Sequence, residues 1–154
     1  MEQRLWMILQ LFGGAALFLY SMDTLTDALQ QAAGDTLRQA LARLTAHPLA
    51  GVLTGAAVTA VVQSSSAVTV LVLGLVGAGL LTLQRAVPVV FGANIGTTVT
   101  AVLASVGQSR DAKRLAAAHT LFNLGCTVLW LPLTPCMVRI VCILLPEKHA
   151  PELK

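Results

Sequence analysis

The sequence predicts an all-α integral membrane protein with about three crossing helices, one re-entrant helical hairpin and an amphipathic interfacial segment. Three observations carry this reading. Of the 154 residues, 56% are hydrophobic and only 11% charged, where a soluble domain carries about 25% charge. The mean hydropathy of +0.77 points the same way. The few charges are clustered and leave long uncharged runs between them. Two of those runs are interrupted in their middles by amides and hydroxyls. This balance excludes a disordered chain, and a net charge of +3 is too small for a nucleic-acid-binding face. Cys126, Cys136 and Cys142 form no closely spaced pair. They read as small buried hydrophobes rather than a metal site or disulfide framework.

The first element, residues 5–22, is apolar and long enough to span. The preceding residues carry one acid and one base, Glu2 and Arg4, and no small-residue cleavage site follows before Asp23. The segment therefore reads as a retained helix, not a signal peptide. Residues 23–48 mix Asp23, Asp27, Asp35, Arg38 and Arg43 with Leu25, Leu29, Leu37, Leu41 and Leu44 at helical spacing. That pattern predicts an amphipathic segment at the membrane surface. Asp35, after Gly34, is a candidate N-cap, and His47-Pro48 ends the segment.

Residues 49–84 carry no formal charge. As one straight helix this run would measure about 54 Å, against a hydrocarbon core of roughly 30 Å. It is interrupted at Gln63-Ser64-Ser65-Ser66, and its flanks, 49–62 and 67–79, are each too short to span. Two short helices meeting at a polar break predict a re-entrant hairpin with its tip near the bilayer midplane. Bare backbone at that depth needs protein or a water-filled cavity around it. Arg85 closes the hairpin. Residues 86–107 then read as a crossing helix broken at Gly92-Ala93-Asn94-Ile95-Gly96-Thr97-Thr98. Residues 115–145 read as a last crossing, bent or ended by Pro132 and Pro135, with 147–154 a polar tail. Three crossings put the termini on opposite sides. The basic residues divide almost evenly: Arg4, Arg110, Lys113 and Arg114 on one side, Arg38, Arg43, Arg85, Lys148 and Lys154 on the other, with Arg139 inside the last segment. The positive-inside rule thus sets no orientation, a balance compatible with insertion both ways.

An unpartnered polar group at membrane depth costs on the order of 2–7 kcal/mol. Interhelical hydrogen bonding accounts for single Ser and Thr residues, and Gly51/Gly55 and Gly92/Gly96 are spaced for close helix approach. A run of four consecutive polar residues at a helix break asks for more. A helix N-terminus offers free N–H groups and a positive dipole end. With Ser64, Ser65, Ser66 and the Gln63 amide around it, the first break suits a small anion. Free carbonyls at the second, with Asn94, Thr97 and Thr98, are oxygen ligands suited to a cation such as Na+. Discontinuous helices serve transporters in this way. Neither break has a Lys or Arg near it, so co-bound cations are the economical counter-charge. No carboxylate lies near either break, which argues against proton coupling through Asp or Glu. His119 and Asn123 share one helical face, four residues apart. A faint echo relates 63–69 to 94–100, each a carboxamide followed by small or hydroxyl residues and Val-Thr.

Gln63-Ser64-Ser65-Ser66, followed by Gly92-Ala93-Asn94-Ile95-Gly96-Thr97-Thr98 and by His119 with Phe122-Asn123, resembles the sodium/phosphate cotransporter family. That family comprises the animal type II cotransporters and bacterial relatives. The likeness runs from about Phe12 to Pro135 and includes His47-Pro48-Leu49-Ala50-Gly51. The resemblance implies Na+-driven transport of inorganic phosphate by alternating access in a cell membrane, plasma or inner, with no enzymatic step and no cofactor beyond Na+ as coupling ion. It implies phosphate at Gln63, Ser64, Ser65 and Ser66, and Na+ or the site wall at Asn94, Thr97, Thr98 and Asn123. Family transporters hold two inverted repeats, each with its own such serine motif. Residues 1–146 match one repeat, so the implied partners are phosphate, Na+, the lipid bilayer and a second copy or second repeat, with no nucleic acid. Two further departures are Thr120, where animal relatives carry an acid, and the lack of the soluble helical domain common in bacterial relatives. Other readings stay open: a non-transporting scaffold or regulatory subunit, an incomplete inactive half, or a serine hydrolase pairing Ser64, Ser65 or Ser66 with His119. The last lacks the expected Gly-x-Ser-x-Gly turn.

Overall fold

A computed structural model describes residues 2–32 and 34–146. The expected polar tail, 147–154, lies outside them. Among the described residues the chain forms seven helices: α1 (Glu2–Ala32), α2 (Asp35–Leu44), α3 (Pro48–Val62), α4 (Ser65–Gly77), α5 (Leu83–Ser105), α6 (Arg110–Trp130) and α7 (Thr134–Leu144). α1 and α5 are each long and apolar enough to cross a membrane. α2 with α3, and α6 with α7, qualify only as bent pairs, the latter bent by 76°, so the described helices give two spans or up to four. This is a multi-pass helical membrane protein.

α1 departs from expectation. It does not end at residue 22 but continues through Asp23 and Asp27 to Ala32. Charge alone does not stop a helix. No Gly or Pro intervenes, and the hydroxyls of Ser21, Thr24 and Thr26 donate back to the carbonyls of Leu17, Tyr20 and Met22. The amphipathic segment is therefore only the ten-residue α2. Its N-cap is Gly34, and Asp35 sits in the first turn, where its charge complements the helix dipole. α2 meets α3 at 107°. The N-terminal half of α1 is exposed all round, from Leu5 to Tyr20, an apolar surface of the kind a bilayer covers. Its C-terminal half packs on α4, with Leu25 and Leu29 against Gly74.

The re-entrant hairpin is α3 and α4. α4 ends in a Schellman turn: Leu80 N–H bonds the Leu75 carbonyl, Gly79 N–H bonds the Val76 carbonyl, and Gly79 takes φ +70°. The chain then enters α5, which runs parallel to α3. Gly51 lies beside Pro88 and Val89, Gly55 beside Val89 and Ala93, Gly92 beside Val52 and Ala56, and Gly96 beside Ala56 and Thr59. Each step along α3 thus meets a step about 37 residues later on α5. α4 runs back between them in sequence, antiparallel, with Val72 and Val76 in one cleft with Ala86 and Val90. The core is Val68, Val72, Leu75, Leu81, Ala86, Val89 and Ala93.

The break expected within 86–107 is absent, and α5 is one continuous helix. Its glycines do not loosen it; they admit the α3 backbone. Its threonines satisfy themselves, Thr97 donating to the Ala93 carbonyl at 3.1 Å and Thr98 to that of Ile95 at 2.7 Å. The bend expected near Pro132 and Pro135 is present, between α6 and α7. The cysteines are not buried as expected: Cys136 and Cys142 are exposed on α7, and Cys126 is half-buried.

Candidate functional site

The hairpin reverses at two residues. Gln63 caps α3 in the left-handed region, φ 59° and ψ 22°, a conformation that costs a non-glycine residue about 1–2 kcal/mol. Three hydrogen bonds hold it there. Its N–H donates to the Thr59 carbonyl at 2.7 Å, its Nε2 donates to the Ala60 carbonyl, and its Oε1 accepts from Thr100 Oγ1 at 2.5 Å. Ser64 follows as the N-cap of α4, its Oγ accepting the Ala67 N–H at 3.2 Å and lying 3.3 Å from Ser66 Oγ. Ser65 and Ser66 form the first turn of α4. Helix geometry leaves their backbone N–H groups without intrahelical partners. The tip thus gathers two free N–H groups, three serine hydroxyls and a positive dipole end, all suited to an oxyanion. The tip is level with Thr100, about a turn and a half from the end of α5.

The second set of expected residues lies on α5 and α6. At 100° per residue, Asn94, Thr97, Thr98 and Ala101 share the side of α5 opposite Gly92 and Gly96. Continuing the antiparallel register of α4 along α5 puts Ser65 and Ser66 level with 95–98. Asn94 is exposed, Thr97 half-buried and Thr98 buried. Because α5 is unbroken, its carbonyls at this level are committed to the helix, and the expected carbonyl ligands for a cation are not available. The threonine oxygens remain usable, since a hydroxyl that donates to a carbonyl still presents its lone pairs. On α6, Asn123 Nδ2 donates to the His119 carbonyl at 2.9 Å, which leaves Oδ1 free of that bond. His119 lines a cleft of about 430 Å³ with Ala101, Ala104 and Ser105 of α5.

Among the described residues no Lys or Arg hydrogen-bonds the tip. Arg85 and His47 line a cleft of about 210 Å³ at the mouth of the hairpin, at the other end of α3. Arg110, Lys113 and Arg114 stand at the start of α6, with Arg114 paired to Asp111 at 3.0 Å.

Two residues here were not singled out by sequence: Thr100 and Thr59. Thr59, one turn before Gln63, is fully buried against Gly96, and its Oγ1 has no hydrogen-bond partner. An orphaned buried hydroxyl costs about 1–3 kcal/mol. Thr59→Val, which keeps the shape and removes the hydroxyl, is expected to melt at or above the wild-type temperature in buffer free of Na+ and phosphate. A lower melting temperature would mean that the hydroxyl is satisfied.

A family profile described as Na+/Pi-cotransporter matches residues 17–143. The chain belongs to the Na+/Pi-cotransporter family. It is 38% identical over 127 residues to sodium-dependent phosphate transport protein 2A of Oryctolagus cuniculus, an alignment covering 76% of this chain and 20% of that protein. Over 86 residues it is 43% identical to protein 2A of Rattus norvegicus and 42% identical to sodium-dependent phosphate transport protein 2B of Homo sapiens. Those alignments cover 53% of this chain and 13% and 12% of the relatives. The chain therefore spans about a fifth or less of the curated relatives it matches. No solved structure matches it. Membership of a Na+/Pi-cotransporter family sets the serine hydrolase reading aside.

Proposed function

We propose that this chain is one repeat of a Na+-coupled transporter of inorganic phosphate, completed by a second repeat or by an inverted copy of itself. The observation that carries the reading is the hairpin tip, where a left-handed Gln63 delivers the serine-rich N-terminus of α4 against α5. Phosphate binds Ser64, Ser65 and Ser66, with the remaining N–H of the Gln63 amide. Na+ binds hydroxyl and amide oxygens of Thr97, Thr98, Asn94 and Asn123, and its charge replaces the absent Lys or Arg. Supporting this, Thr97 and Thr98 lie at the level of the tip, and hydroxyls that donate to carbonyls keep lone pairs with which to accept. The nearly even split of basic residues supports the inverted copy. The site lies in the cell membrane, plasma or inner.

The test is reconstitution of the purified chain in liposomes, following labelled phosphate with and without a Na+ gradient. The expected result is uptake that depends on Na+. Flux indifferent to Na+ would reject the coupling. No flux from a correctly inserted chain, restored by co-reconstitution with a second repeat, would make it a half that is inactive alone. No flux under either condition would leave the scaffold reading.

A further inference from the structure

Resting on the phosphate reading of the tip, we infer that Thr100 is a positioning residue that holds the Gln63 carboxamide with its spare N–H directed at the ligand. The argument runs through donors and acceptors. Gln63 Nε2 lies on the Ala60 carbonyl. A carbonyl can only accept, so the amide nitrogen must point there and the amide oxygen away. That oxygen meets Thr100 Oγ1 at 2.5 Å. An amide oxygen also only accepts, so Thr100 must donate. The hydroxyl proton of Thr100 is thereby committed, and one N–H of Nε2 is left over. This is the single donor that Gln63 can offer an oxyanion, and its direction is fixed by the two bonds.

The placement of Thr100 is not incidental. α3 and α5 touch through Gly51, Gly55, Gly92 and Gly96 at a register of about 37 residues. One further turn along that register pairs residue 63 with residue 100, where the glycine contacts end and this hydrogen bond takes over. Among the described residues it is the one side chain–side chain hydrogen bond joining two helices. The tip therefore takes its orientation from α5. Without the Thr100 hydroxyl the carboxamide oxygen loses its partner, and the amide is held by the Ala60 carbonyl alone, one bond in place of two. An amide held at one end swings more widely, and its spare N–H is less often aimed at the anion.

Thr100→Val keeps the side-chain shape and Thr100→Ser keeps the hydroxyl. In proteoliposomes containing the full chain, Thr100→Val is expected to raise the KM for phosphate about tenfold, the worth of one hydrogen bond to a charged acceptor. Vmax should stay within about twofold, and Thr100→Ser should restore the KM. A second measurement needs no transport. Backbone amide exchange across residues 62–67, followed in nanodiscs, should speed up about tenfold in Thr100→Val and stay at the wild-type rate in Thr100→Ser, on the same hydrogen-bond scale. A Thr100→Val variant with unchanged exchange overturns the inference, as does Thr100→Ser behaving like Thr100→Val. If the exchange pattern holds while the wild type moves no phosphate, alone or with a second repeat, the transport reading fails and the positioning role stands. If exchange responds and phosphate flux is present but its KM does not move, Thr100 holds the tip without orienting the ligand donor, and the inference is overturned.

Discussion

Gly92→Val is expected to abolish the folded state. A Cβ on Gly92 would fall inside van der Waals contact of the Val52 carbonyl oxygen, and one on Gly55 would do the same to that of Val89. The obstacle is backbone in both cases, so no rotamer change relieves it, and α3 must separate from α5. Overpacking costs typically 1–3 kcal/mol and occasionally more. Here it acts along the closest helix pair of the fold, and typical native stability is only about 5–15 kcal/mol. Gly55→Val should behave alike, and Gly92→Ala should already lower the melting temperature. The contrast lies in Gly13, Gly14 and Gly125, where an added Cβ meets nothing within 4 Å. Alanine there should be neutral or stabilising by up to about 1 kcal/mol, because it improves helix propensity. Size-exclusion profiles and thermal melts in detergent would separate the two groups. Equal tolerance of Gly92→Val and Gly13→Ala would mean that α3 and α5 do not lie this close.

That contrast also shows why some elements were legible in the sequence and others were not. The hairpin was legible because length leaves no alternative: an uncharged run too long to span and halves too short to span must turn back. The place of the turn was legible for the same reason, since Gln63 to Ser66 sit where the backbone must open. Residues 92–98 looked the same on paper, with glycines, an amide and two hydroxyls in an apolar run. In α5 they do the opposite. The glycines let α3 in close, and Thr97 and Thr98 bond to their own helix. A polar run is ambiguous between a break and a packed seam, and only the neighbouring helix decides. The spacing of Gly51/Gly55 and Gly92/Gly96 did hint at the seam.

The end of α1 failed for a different reason. Asp23 and Asp27 mark a change in polarity, and polarity does not terminate a helix, so α1 runs on to Ala32. Thr59 and Thr100 were out of reach altogether. A lone threonine in an apolar helix carries no signal of its own. Thr100 acquires a role through a residue 37 positions away, and Thr59 through the close approach of Gly96 that shuts water out.

Ser64→Asp is expected to leave the fold intact and abolish phosphate transport, and this pairing of outcomes locates the anion. Ser64 Oγ accepts the Ala67 N–H at the start of α4. Aspartate is as good an N-cap as serine, and its charge at a helix N-terminus is worth a further 0.3–1 kcal/mol or so. The melting temperature should therefore hold or rise. A site that admits phosphate is wet and polar enough to admit a carboxylate. The same charge placed about 4 Å from a bound phosphate repels it by about 4 kcal/mol at an effective dielectric of 20, or close to three orders of magnitude in affinity. Ser64→Ala runs the other way. It loses the cap, at about 1 kcal/mol, while removing only one of several donors to the anion. Stability and phosphate flux should thus move in opposite directions across the two variants. Wild-type flux through Ser64→Asp, measured in the same liposomes, would place the phosphate away from the N-terminus of α4 and remove the observation on which the transport reading rests.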